Sequence, residues 1–364
     1  MHMSDRYDHT VLVSIDGLRG DALQAPSPGT AVLSQLALAG AEFTNVISAA
    51  PGSAVAHGAL FTGQYPLHNG LYDEERGALR VPSLFTHARR HGRRTVLLTD
   101  SAAVLTPGRG FTREVDVHLV GQDDAFVDAV TAAESTMAWA HFGPVDSART
   151  SGVESIEGFL TRRFAPFVEH LTERVGAAGR RLLLVVVAGH GARWDEPDGR
   201  PGALAQEVLQ VPLIIAGDGI TPGRHGRRIR TVDVVPTVLD LAGLPVAASG
   251  LLDGRSLASV VLGKEELDGD APAVAGWYGP DRVGEAGYLD DLKVVRWSLP
   301  GAVQPESVRM ERLDGYGVPR PAPEADGADV LAMLDDYRGA LQEPGRVTVT
   351  EEMRAQLRSQ GYSV

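Results

Sequence analysis

A chain of 364 residues exceeds the usual size of one small domain and fits a large α/β core with an appended subdomain. Its 47 acidic and 34 basic residues give a net charge of -13, which repels phosphate backbones and anionic lipid alike, so neither nucleic acid nor a membrane surface is an expected partner. There is no cysteine, which excludes a disulfide framework, a thiolate metal site and a thiol nucleophile.

The opening MHMSDRYDHT has no apolar segment of the kind a signal peptide needs, and no later run approaches the ~18 apolar residues of a membrane span. The expectation is a cytoplasmic protein. Thr10–Asp16 (TVLVSID) reads as a buried parallel strand ended by a carboxylate and Gly17. Thr30–Ala39 reads as a helix stopped at Gly40 and followed by a strand. Arg93–Asp100 (RRTVLLTD), the run RRLLLVVVAGHG ending at Gly191, and Val211–Ile220 read as further buried strands. Val232–Leu244 reads as a helix with an early proline and a glycine stop. Asp268–Gly287, rich in Gly, Pro and Asp, marks a change of pattern, which divides the chain into a core over 1–268 and a smaller C-terminal subdomain over 269–364. In that subdomain Val318–Asp329 reads as loop or linker, and Val349–Val364 as a short amphipathic helix.

Ligands of open α/β sheets bind beyond the carboxyl ends of the strands, which is where Asp16, Asp100 and His190 fall. A carboxylate that ends a buried strand must be paired, hydrogen-bonded or metal-bound. The stretch PGSAVAHGALFTGQYPLHNG sets Ser53 and His57 four residues apart, ahead of a short apolar run. Ser53 reads as a helix N-cap or as a nucleophile, and His57 as a packing histidine or a site residue. Arg19 either holds an anion, since guanidinium matches sulfate and phosphate, or pairs with Asp21. The basic RHGRRIR (Arg224–Arg230) reads as solvated surface charge.

In order along the chain, VLVSIDGLRGDAL, PGSAVAHGALFTGQYPLHNG, VPLIIAGDGITPGRHGRRIRTVDVVPTVLDLAGLPVAASGLLDGRSL and the terminal LRSQGY resemble the sulfatase branch of the alkaline phosphatase superfamily. The resemblance implies an α/β fold: a mixed β-sheet sandwiched by helices, a small C-terminal antiparallel sheet, and a site at the strand ends where a nucleophile attacks a sulfate or phosphate ester. It puts that nucleophile at Ser53, the opening position of the family's cysteine-x-proline-serine-arginine signature, which here reads Ser53-Ala54-Val55-Ala56-His57. Sulfatases oxidise this first residue to formylglycine. With cysteine, proline and arginine all missing from the signature, no formylglycine is expected. Phosphodiesterase and phosphoglycerol-transferase relatives use an unmodified threonine there, followed by a histidine that His57 matches. An unmodified serine suits phosphoryl transfer once its pKa is lowered.

The resemblance also carries Asp16 and His190 as metal ligands. The second carboxylate of classical sulfatases is Gly17, and the family's Asp-His-Gly or Asp-Asn-Gly becomes Gly189-His190-Gly191. Calcium takes about six to eight oxygens, whereas an imidazole favours a zinc- or manganese-like ion, so one such divalent metal, or none, is expected. Further donors are sought among Asp21, Asp100, His141 and Asp195. The resulting reading is a hydrolase or transferase for a small anionic ester, with Ser53 attacking, Asp16 and His190 holding a metal, and His57 or Arg19 steadying the anion. The alternative is a metal-depleted family member that acts as a binding protein or catalyses a metal-independent reaction.

Overall fold

The computed structural model describes residues 7–23, 27–75, 77–100, 104–143, 156–192, 203–246, 252–302, 304–314 and 317–339. At its centre is a sheet of β1 (His9–Ile15), β2 (Ala41–Ile47), β3 (Arg94–Thr99), β4 (Val117–Val120), β5 (Thr136–Phe142), β6 (Leu182–Val187), β7 (Gln210–Gly217), β8 (Gly223–His225) and β9 (Ile229–Arg230). Their order across the sheet is β4-β3-β5-β1-β6-β7-β2-β8, with β9 also on β2. β1 and β3 to β6 are parallel, and β7 runs against both β6 and β2. The sequences HTVLVSI and LLLVVV explain the central places of β1 and β6. β1 is buried along its whole length and β6 at every residue after Leu182, which is stable only where helices cover both faces.

One of those covering helices is Ser53–Thr62, whose residues after Ser53 are all buried, as an all-round apolar sequence requires. Gly63 ends it in the left-handed region at φ 68, returning its N–H to the Ala59 carbonyl. Phe61 packs against Phe85, Phe111 and Trp139, with ring centroids 5.0, 5.7 and 5.1 Å away. Truncating the fully buried Trp139 of β5 to alanine would cost about 3–5 kcal/mol. This packing makes the layer beneath the strand ends rigid.

A second sheet, antiparallel and in sequential order, is formed by β10 (Ala273–Tyr278), β11 (Val283–Leu289), β12 (Leu292–Ser298), β13 (Ser307–Leu313) and β14 (Pro319–Pro321). Ala273, Ala275 and Tyr288 share an apolar cluster with Ile47, Leu204 and Leu209, and the Gly276 N–H donates to the Ala49 carbonyl at 3.0 Å. The architecture is thus the mixed sheet flanked by helices, with a smaller antiparallel sheet, that the motif order implies.

The helices expected over Thr30–Ala39 and Val232–Leu244 span Ala31–Ala39 and Val234–Leu241. Two expectations fail. Val318–Asp329 is not a plain linker, because prolines are tolerated on the edge strand β14 and a short turn then leads into a helix, Ala328–Gly339. That helix packs on Gly287 of β11, where an added Cβ would lie 2.6 Å from Val330. Nor is RHGRRIR wholly solvated. Arg228 is 1% exposed, donating from Nε to the Ala271 carbonyl at 2.7 Å and from Nη1 to the Asp290 carbonyl at 2.8 Å. Charge periodicity alone does not reveal such a tie. The Val349–Val364 segment lies outside the described residues. Among the described residues no helix is long and apolar enough to cross a membrane.

Candidate active site

Register brings the polar residues together. Ser14 of β1 lies opposite His141 of β5 on one side and Val187 of β6 on the other, so Asp16, His141 and His190 emerge at the carboxyl ends of three adjacent parallel strands. Gly17 takes the left-handed conformation at φ 76, donates its N–H to the His190 carbonyl at 2.9 Å and bridges to Gly191.

Ser53 is not the N-cap of its helix; Gly52 is. Its Oγ lies 2.6 Å from Asp16 Oδ2 and 2.9 Å from His190 Nε2. His190 Nδ1 is 2.7 Å from the Gly191 carbonyl, which can only accept, so Nδ1 carries a proton, and in the neutral ring Nε2 turns its lone pair to Ser53. One hydroxyl proton therefore faces two acceptors. The helix end is capped by Glu74, whose carboxylate accepts from the N–H groups of Ala54 and Val55 at 3.1 and 3.0 Å.

Below Ser53 lie Asp16, His57 and His141, with side chains 2%, 0% and 3% exposed. His57 Nδ1 is 2.6 Å from the Ser53 carbonyl, so it carries a proton, and in the neutral ring Nε2 holds the lone pair. That Nε2 sits 3.7 Å from Asp16 Oδ1, beyond hydrogen-bond reach, and neither atom has a hydrogen-bond partner. His141 Nε2 is 3.8 Å from Asp16 Oδ2, and its Nδ1 is 3.2 Å from Ser14 Oγ, which accepts the Trp139 Nε1–H at 2.8 Å. Burial pushes His141 down to about 3, with His57 reinforcing and Asp16 opposing the shift. Burial alone would raise the Asp16 carboxyl, yet the rings of His57, His190 and His141 and the Ser53 hydroxyl outweigh it and hold the group below its ordinary range.

Buried unsatisfied polar atoms cost about 1–3 kcal/mol each. Asp16, His57 and His141 each offer a ligand atom, all within 4.8 Å of one another, and Asp16 Oδ1 and His57 Nε2 have no hydrogen-bond partner among the described residues. This set fits the divalent cation that the resemblance implies, which would satisfy both orphans at once.

The other sequence candidates are placed as follows. Arg19 grips Asp21 at two points, 3.0 and 2.6 Å, the ion pair that was one of its two readings. His57, expected to bind substrate, is 0% exposed and lies beneath Ser53. Asp100 is taken by Arg163 at 2.7 Å and the Gly143 N–H at 2.8 Å. Asp195 lies outside the described residues. Sequence reasoning passed over β5 and with it the central place of His141, although TMAWAHF carries the same signal as TVLVSID, an apolar run closing on a titratable group. Glu74, 20 residues beyond Ala54, has no local signature.

Residues 8–127 match the sulfatase family. A Delta 4,5-hexuronate-2-O-sulfatase of Bacteroides thetaiotaomicron is 32% identical over 113 residues, a stretch that covers 28% of this chain and only 22% of that relative's length. A solved 2-O GAG sulfatase shares the fold with a TM-score of 0.70 at 17% identity, covering 94% of each chain. The phosphonate monoester hydrolase of Silicibacter pomeroyi does so with a TM-score of 0.62 at 15% identity, covering 94% of this chain and 97% of that one.

Proposed function

We propose that this chain, with a sulfatase-family segment set in the sulfatase fold, is a member of the sulfatase branch of the alkaline phosphatase superfamily that hydrolyses or transfers a small sulfate or phosphate ester using unmodified Ser53. The observation that carries the reading is the Ser53 hydroxyl held between Asp16 Oδ2 at 2.6 Å and His190 Nε2 at 2.9 Å. Relatives named for 2-O-sulfate esters and for phosphonate monoesters support an ester of sulfur or phosphorus as the substrate class.

His190 Nε2 takes the hydroxyl proton as Ser53 Oγ bonds to sulfur or phosphorus, the ester bond to the leaving oxygen breaks, and that proton passes to the leaving group. Water or an acceptor alcohol then gives a proton to His190 and displaces Ser53, whose Oγ recovers its proton. The Gly191 carbonyl keeps His190 in the tautomer this requires, and the Asp16 carboxylate, 3.8 Å from His190 Nε2, favours the transient imidazolium. A divalent cation held by Asp16, His57 and His141 would supply positive charge beside the transferred group. In this scheme His190 is the base rather than a metal ligand, and His57 a ligand rather than a group that steadies the anion.

Turnover of 4-nitrophenyl phosphate and 4-nitrophenyl sulfate by the metal-supplemented protein tests the proposal. At least one ester should be cleaved, Ser53→Ala should abolish the cleavage, and rapid quenching should trap a phosphoryl or sulfuryl group on the Ser53 peptide. Activity surviving in Ser53→Ala would overturn it. Tight sulfate or phosphate binding without turnover of either ester would establish the binding-protein alternative.

A further inference from the structure

The glycine of Gly189-His190-Gly191 stands where the family pattern has a carboxylate, and the His57 ring lies beside it. A Cβ built on Gly189 would lie 2.5 Å from His57 Cε1, 2.9 Å from His57 Nδ1 and 2.9 Å from Asp16 Oδ1. The His57 ring cannot yield. It is wholly buried, pinned by Nδ1 to the Ser53 carbonyl at 2.6 Å, and packed edge-on against His141 with centroids 4.4 Å apart. The Gly189 backbone cannot retreat easily either, since its carbonyl accepts the Ser48 hydroxyl at 2.6 Å.

We propose that the His57 imidazole and a side chain at position 189 compete for one volume, and that by giving it to the imidazole this chain has turned an oxygen-rich cation site into a nitrogen-rich one, built from Asp16, His57 and His141, that selects a zinc-class ion over magnesium or calcium. The proposal deepens the reading of this cleft as a sulfatase-branch active site and rests on it. Three protein ligands with a fourth side facing Ser53 is the pattern of a catalytic zinc site. Each imidazole has its other nitrogen engaged, His57 on the Ser53 carbonyl and His141 beside Ser14 Oγ, as ligand histidines generally do. Imidazole donors favour zinc, cobalt, nickel or copper, whereas magnesium and calcium favour oxygen. The orphaned His57 Nε2 and Asp16 Oδ1 face one another across 3.7 Å, a gap that a bridging cation would close.

The test is metal binding by the full chain, stripped with chelator and titrated with Zn²⁺, Co²⁺, Mg²⁺ and Ca²⁺. One equivalent of Zn²⁺ should bind, Co²⁺ should give visible absorption bands of low coordination number, and neither Mg²⁺ nor Ca²⁺ at millimolar concentration should displace it. His57→Ala should weaken Zn²⁺ by about 100-fold or more. Gly189→Asp alone should lower the melting temperature and lose Zn²⁺, while the double variant His57→Ala with Gly189→Asp should recover the melting temperature and shift its preference toward Mg²⁺ or Ca²⁺. Equal affinity of the wild-type protein for Ca²⁺ and Zn²⁺, undiminished Zn²⁺ binding in His57→Ala, or a Gly189→Asp protein of normal stability and Zn²⁺ affinity would each overturn the proposal. Ser53→Ala separates this outcome from the catalytic one, since it should remove ester turnover and leave Zn²⁺ binding intact.

Discussion

Asp16 and Glu285 are both buried carboxylates, and their surroundings are opposite. Glu285, on the second sheet with its side chain 0% exposed, accepts from Arg296 Nε and Arg338 Nη2 at 2.7 Å each, and from Tyr278 and Arg338 Nε at 3.2 Å each. Two permanent cations neutralise it and all its bonds are internal. Asp16 accepts one short hydrogen bond from Ser53, faces three imidazoles, and keeps Oδ1 unpaired. The first arrangement is complete and holds two elements together; the second is left incomplete among the described residues. A buried charge is thus structural or functional according to what is left unsatisfied around it.

Substitution should expose that contrast most strongly at Asp16. Asp16→Asn should lower kcat/KM by about 10²–10³-fold or more, with a smaller loss of unfolding free energy than the same change at Glu285, because one Asp16 oxygen makes no hydrogen bond among the described residues. Glu285→Gln should do the reverse, costing about 3–5 kcal/mol in urea unfolding by leaving two guanidinium groups short of their partner, with kcat of the folded protein unchanged. Equal destabilisation by the two variants would erase the distinction.

A smaller effect sharpens it in pH. In chelator-treated protein, His141 has a folded pKa of about 3 against an ordinary value of 6.5. The unfolded chain then binds the extra proton between those values, so this contribution to stability is fully present above pH 6.5 and is lost as pH falls toward 3. The slope is at most about 1.4 kcal/mol per pH unit. Asp16, depressed below its ordinary range, adds a loss in the same direction only below about pH 4. Urea unfolding of His141→Gln across pH 4–7 should lack the upper part of the slope; an unchanged slope would place the titration elsewhere.

The smallest expected effect is none at all. The peptide containing Ser53 should have the mass of unmodified serine, and a peptide lighter by two hydrogens would reveal formylglycine and shift the site to true sulfatase chemistry.

Sequence made the fold legible where burial is uniform. Central strands covered on both faces must be apolar throughout, so TVLVSID and LLLVVV announce themselves, and Asp16 is visible because a carboxylate ends such a run. The pairing of His141 with this site arises from the β1–β5 register, across 127 residues from Ser14, and no local pattern encodes it. The roles proposed here for His57 and His190 were hidden for a related reason. Motif position tells which residues approach the cleft, whereas their orientation depends on the Ser53 and Gly191 carbonyls that each ring happens to meet. The helix Ala328–Gly339 escaped because it follows a proline-rich edge strand whose composition reads as linker.

With two N-terminal amides already closed on Glu74, the helix that carries Ser53 offers an approaching ester a neutralised pole rather than a positive one. At a net charge of -13 the whole molecule also repels anions at long range. Added salt screens that repulsion beyond a Debye length of about 8–10 Å, so it speeds capture of an anionic substrate, the reverse of its effect on enzymes that draw their ligands in by charge. The encounter, more than the chemical step, becomes the stage that ionic strength tunes.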